Sequence, residues 1–102
     1  MTVNLYGTEY EVKVKSSRYI NNNDYAVILE EPNGAPFATL TVNLDRHLPD
    51  GYGFVDTNNC PWAEEFISKY NLGEPAGAAA QSGYCVYPLY KFNIDRIPGV
   101  ER

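Results

Sequence analysis

Two apolar, β-rich runs, YAVILE (residues 25–30) and FATLTVNL (37–44), flank the segment EPNGAP (31–36). Proline followed by Asn-Gly between such runs specifies a hairpin with a loop of about five or six residues. This commits the middle of the chain to antiparallel pairing. On the second run Ala38, Leu40, Val42 and Leu44 share a face, opposite Phe37, Thr39, Thr41 and Asn43. Upstream, EYEVKVK (9–15) alternates Tyr10, Val12 and Val14 with Glu9, Glu11, Lys13 and Lys15, the period of a half-buried strand. TVNLY before it reads as a shorter strand, and SSRYINNND (16–24) as a loop. GFVD (53–56) is a short strand, and YCVYPLYKFNI (84–94) closes the fold. Pro88 cannot donate to a ladder, so it places that last strand at an edge, a bulge or a break.

One helix is expected, over residues 61–72. Trp62, Ala63, Phe66, Ile67 and Tyr70 recur at helical spacing, with Glu64, Glu65, Ser68 and Lys69 on the wet side. Gly73 stands where a left-handed C-terminal cap is wanted, and Pro75 follows. GEPAGAAAQSG (73–83) reads as a mobile loop of small residues. The fold class is therefore α+β: residues 1–102 as one domain, an antiparallel sheet of about five strands, and the helix packed on one face. The expected core is Tyr10, Val12, Val14, Val27, Leu29, Leu40, Val42, Trp62, Phe66, Ile67 and Tyr70.

Length and charge exclude several classes. A chain of 102 residues holds one core, and its 44% hydrophobic and 21% charged fractions are those of a globular protein. Net charge is −5, and the eight basic residues are scattered, so direct nucleic-acid binding is not expected. Met1-Thr2-Val3-Asn4 opens no charged-then-apolar leader, and no apolar run approaches a membrane span, so a cytoplasmic protein with two free thiols, Cys60 and Cys85, is expected.

FVDTNNCPW (54–62) looks most like chemistry. Pro61 suits a first helical turn, and Asp56, Asn58 and Asn59 can bind the free N–H groups of a helix start. The structural reading is that these residues tie the strand end to the helix. The catalytic reading makes Cys60 a thiol activated by the helix N-terminus, with His47, the only histidine, as base and Asp56 as third member. The structural reading is preferred, with no catalytic residue assigned, because His47 lies in a turn-rich segment with no evident path to the helix. Two cysteines 25 residues apart and one histidine make no close-spaced ligand pair, so no metal or other cofactor is expected. GAAAQSG lacks the lysine and the β-α-β setting of a phosphate cradle. The aromatic strand could stack bases, but only Lys91 lies near it.

Taken together and in order, TLTVNL, FVDTNNCPW and SGYCVYPLY resemble a small bacterial family catalogued as domain of unknown function 4313. The resemblance covers roughly residues 19 to 95 and rests mainly on the two Cys-containing motifs. It implies an accessory protein of a bacterial mobile element and carries over no catalytic residue.

The expected function is a non-catalytic protein-interaction module with an unidentified, basic partner. Net acidity and nine tyrosines carry this, since tyrosine is enriched at protein contacts and acidic side chains speed encounter with basic surfaces. The candidate surface is Glu30, Glu31, Glu64 and Glu65 with Tyr84, Tyr87 and Tyr90. A sharper form makes the glutamates phosphate substitutes of a DNA mimic acting against a host defence protein. The alternatives are a small-molecule pocket between strand 84–92 and loop 73–83, and the Cys60/His47 enzyme.

Overall fold

Tyr6 and Gly7 turn the chain with positive φ at both residues (52° and 85°), as a two-residue hairpin turn matched to strand twist requires. In the computed structural model, which describes residues 1–99, they join β1 (Thr2–Leu5) to β2 (Thr8–Glu11) as a two-stranded antiparallel hairpin. Buried Val12 then carries the chain out of that hairpin and into a second sheet. EYEVKVK is therefore two strands in different sheets.

The second sheet has the order β3 (Lys13–Arg18), β4 (Tyr25–Glu30), β5 (Pro36–Thr39), all antiparallel. Tyr25, Ala26, Val27 and Leu29 of β4 are all buried, so this central strand is covered on both faces. The hairpin expected at Pro-Asn-Gly is present, with Glu31–Ala35 as its loop. The Glu31 N–H donates to the Ala35 carbonyl and the Gly34 N–H to the Glu31 carbonyl, both at 2.8 Å.

At Leu40 the chain changes sheet again. The Leu40 N–H donates to the Val27 carbonyl (2.9 Å), and its own carbonyl accepts from the Asp56 N–H (2.8 Å). Beyond it, β6 (Thr41–Val42) joins β7 (Tyr52–Val55), β9 (Cys85–Phe92) and β8 (Gly73–Ser82) in a four-stranded antiparallel sheet of order β6-β7-β9-β8. Leu40 and Thr41 are buried in succession, which one alternating strand does not produce. The single sheet of about five strands is corrected to three sheets of two, three and four strands. Local alternation does not register a buried residue that hands the chain from one sheet to the next.

The segment expected as a mobile loop, 73–83, is mostly β8, the longest strand among the described residues. Its ladder to β9 runs from Ser82↔Cys85 to Ala79↔Pro88, then after an irregularity from Pro75↔Tyr90 to Gly73↔Phe92. Glycine and alanine carry little strand propensity, and here β9 and the tight turn at Gly83 (φ 62°) supply the pairing. Pro88 sits just past Phe54↔Leu89, the last β7–β9 pair, so its missing N–H costs that ladder nothing.

The helix is α1 (Ala63–Lys69), shorter than 61–72. Asn71 takes the left-handed conformation (φ 55°); its N–H donates to the Ser68 carbonyl (3.2 Å) and the Leu72 N–H to the Ile67 carbonyl (2.9 Å). This is a Schellman ending, and Leu72 and Ile67, which accompany it, are both fully buried. Asn71, not Gly73, ends the helix.

The main core packs Val3, Val14, Val27, Leu29, Leu40, Val55, Phe66, Ile67, Leu72 and Phe92 together. Phe54 and Val55 point to opposite faces of the four-stranded sheet, so Phe54, Ala80 and Tyr87 form a smaller cluster on the other side, with Val42 packed against it. Tyr10 is corrected out of the core: it is 40% exposed on β2 and its ring leans on Phe37 at 5.6 Å. Trp62 and Tyr70 are half-buried at the edge of the main core.

Candidate interaction surface

The turn between β7 and α1 is organised by Asp56, whose carboxylate is buried. Asp56 Oδ1 accepts the Asn59 N–H (3.2 Å) and Oδ2 accepts Asn59 Nδ2–H (2.9 Å); the Asp56 carbonyl accepts the Cys60 N–H (2.8 Å). This Asx-type turn aims the chain at the helix. The helix N-cap is Trp62, with no side-chain cap bond, so Asn59 serves Asp56 rather than the helix. Asn58 is exposed and makes no side-chain hydrogen bond among the described residues, and Pro61 stands in the turn ahead of α1.

Cys60 is buried, and its thiol points to the Thr39 carbonyl at 3.8 Å. Burial, reinforced by the negative charge of Asp56, pushes the thiol above its ordinary pKa. This is the reverse of activation. His47 is directed elsewhere: its side chain is 92% exposed and its Nδ1 lies 4.0 Å from Asp24 Oδ1. The three residues drawn as a triad share no hydrogen bond between His47 and Cys60 or Asp56 among the described residues. Native labelling with iodoacetamide at pH 8 is accordingly expected to modify half-exposed Cys85 first and Cys60 only on unfolding. Equal rates at the two thiols, read by peptide mass spectrometry, would contradict this.

Of the candidate surface tyrosines, only Tyr84 is exposed. Tyr87 and Tyr90 are 8% and 5% exposed, a correction that follows from β9 packing on both faces: Cys85, Tyr87 and Leu89 meet the smaller cluster, and Tyr90 and Phe92 the main core. The Tyr90 hydroxyl donates to Glu64 Oε1 at 2.7 Å, tying β9 to the helix. Burial, together with that carboxylate, raises the Tyr90 hydroxyl to about 12. In an unfolded chain it ionises near 10. The folded state therefore holds the proton more tightly, and this contribution is whole below pH ~10 and is lost as pH rises toward 12. Alkaline melts followed by circular dichroism are expected to show stability falling above pH ~10, and falling less in Tyr90→Phe.

The four glutamates divide. Glu30 is largely covered and paired with Lys15 at 2.5 Å, and Glu64 is engaged by Tyr90. Glu31 and Glu65 are exposed, and no ion pair holds either among the described residues. Two fully exposed apolar residues, Tyr6 and Ile20, stand with Tyr84 at hairpin turns. The signal available for them was a large apolar residue inside a turn segment.

The most extended open element is β8, the edge of the four-stranded sheet, where Ala80 alone is buried and Glu74–Ala79 are exposed throughout. Together with β9 it forms a hairpin arm tipped by Tyr84.

The architecture is that of a strand-rich α+β domain. Its sequence matches the family described as Domain of unknown function (DUF4313) over residues 12–101, and the chain belongs to that family. The match begins at Val12, where the β1–β2 hairpin has just ended. Comparison with curated proteins and with solved structures gives no match. No helix among the described residues is long and apolar enough to cross a membrane.

Proposed function

We propose that this chain is a non-catalytic protein-interaction module of a bacterial mobile element, acting in the cytoplasm, with the β8–β9 arm as its contact element. The open edge of β8 carries the reading. An edge strand turns the backbone groups of alternate residues outward, where an extended segment of a partner can add as a further strand. Pro75 and left-handed Gly77 (φ 80°) disturb the first half of β8, so the usable run is 78–82. Its small side chains let another backbone approach, and Tyr84 at the tip supplies a rigid ring. The net charge of −5 favours encounter with a basic partner, and the DNA-mimic form of the proposal needs that field to act on a nucleic-acid-binding protein. Burial of Cys60 supports a role without covalent catalysis.

An affinity pull-down from the natural host at low and high salt tests this. A partner drawn by charge should be retained at low salt and weaken as salt rises. Ala79 lies opposite Pro88, which has no N–H to give, so Ala79 turns its own backbone groups outward. Ala79→Pro should therefore block strand addition while sparing the β8–β9 ladder, and Tyr84→Ala should weaken retention. If both variants retain what the parent retains, the arm is not the contact. If no protein is retained at either salt while a metabolite co-purifies, the interaction reading fails.

A further inference from the structure

The β3–β4 loop, residues 19–24, and the segment entering β7 enclose a cleft of about 420 Å³. Its walls are tied down before any ligand arrives. The Tyr19 N–H donates to the Asp24 carbonyl (3.0 Å), and the Tyr19 hydroxyl pairs with Thr41 Oγ1 (2.8 Å). Asn22 Oδ1 accepts the Asp24 N–H (3.0 Å), while its Nδ2–H donates to Asn43 Oδ1 (3.0 Å). Such a site loses little entropy on filling.

We infer that this cleft is a receptor for one organic cation, an ammonium or guanidinium group on a short apolar stem, with Asp24 as its counter-charge. The Asp24 side chain is 7% exposed, yet its carboxylate is poorly compensated. Oδ1 accepts one long bond, from the Leu48 N–H at 3.3 Å. Oδ2 has no hydrogen-bond partner among the described residues and is not sealed from solvent. The nearest basic side chain is His47, at 4.0 Å and almost wholly in water, and Arg18 acts on Asp24 only through space. A carboxylate so deeply placed is costly without a cation and strong when given one.

The lining chooses a cation over an anion. Arg18 is ion-paired with Asp50, its guanidinium lies 5.4 Å from the centre of the Tyr25 ring, and its remaining pull on Asp24 is the weaker one, so little positive charge of the cleft is left for an anion. Arg18 counts +1 and Asp24 and Asp50 count −2 together, leaving −1 with His47 neutral. Leu48 and Pro49 offer the apolar wall for a stem. The buried Tyr25 hydroxyl, which has no hydrogen-bond partner among the described residues, is sealed from solvent and is no part of the ligand contact. The site uses none of the β8–β9 backbone and does not rest on the interaction proposal.

Nuclear magnetic resonance titration of the full chain tests it, with the Leu48 amide as reporter. Butylammonium and butylguanidinium chlorides probe a free small ligand, a capped Gly-Arg-Gly peptide probes a partner's side chain, and butyrate is the anionic control. Saturable shifts with the cations and none with butyrate are expected. Asp24→Asn keeps an oxygen for the Leu48 N–H but removes the charge, and should weaken binding about tenfold or more. Should Asp24→Asn fail to fold, His47→Lys, a change at an exposed side chain, carries the test by placing a tethered cation at Asp24 and blocking the site. Tighter binding of the peptide than of the butyl cations assigns a protein side chain as occupant; the reverse assigns a small molecule. Equal response to butyrate, no shift with any cation, or cation binding unchanged in the folded variants overturns the inference.

Discussion

Truncation of Phe66 to alanine is expected to destabilise the domain by about 3–5 kcal/mol, a large share of the stability of a chain this size. Phe66 is 5% exposed and sits between two half-buried rings, Trp62 at 5.9 Å and edge-on, Tyr70 at 4.9 Å. Removing it leaves a cavity against Ile67 and Val3 of the main core and takes the support from both neighbours. Trp62→Ala should cost less, because that ring is already partly in water at the helix start. Urea unfolding of the two variants against the parent provides the measurement. A Phe66→Ala midpoint equal to the parent's would mean that α1 does not pack as described.

Gly73→Ala is expected to cost about 1–3 kcal/mol, as overpacking does. A Cβ at Gly73 would stand 2.8 Å from the Lys91 carbonyl oxygen and 3.1 Å from the Phe92 Cα. Both are backbone atoms of β9, so the strands themselves must part. The glycine is needed for this close approach of β8 to β9 and not for a left-handed cap. Asn71→Gly, at the residue that does hold the left-handed conformation, should by contrast be close to neutral. Thermal melts of the two variants separate these roles: a Gly73→Ala melt matching the parent would show that the strands yield without cost.

The candidate site was only partly legible. Asp56 and Asn59 were identifiable as turn-formers by residue type, but their mutual bonding depends on where β7 ends relative to Leu40, whose carbonyl holds the Asp56 N–H. The seven-residue candidate surface was read from composition, and it lost Tyr87 and Tyr90 because one packs into the smaller cluster and the other into the main core, on opposite faces of the sheet. As a pair, Asp24 and His47 gave no signal: His47 drew notice only as a candidate base for Cys60, and the two lie 23 positions apart in segments rich in asparagine and turn residues and meet only when two loops close on each other.

By itself the sequence determined the antiparallel hairpin around Pro-Asn-Gly, the place of the helix, the buried face of Val12, Val14, Val27 and Leu29, and membership of the family. These rest on interactions within a few residues or on a motif order that needs no geometry. Tertiary structure alone decided the division into three sheets, the strand made of glycine and alanine, and which tyrosines face water. The division into sheets depends on partners well outside the local sequence, Val27 and Asp56 for Leu40, and the glycine-alanine strand depends on its pairing with β9 across the Gly83 turn. A residue such as Ala80 carries no local preference strong enough to report that its neighbour will be Tyr87.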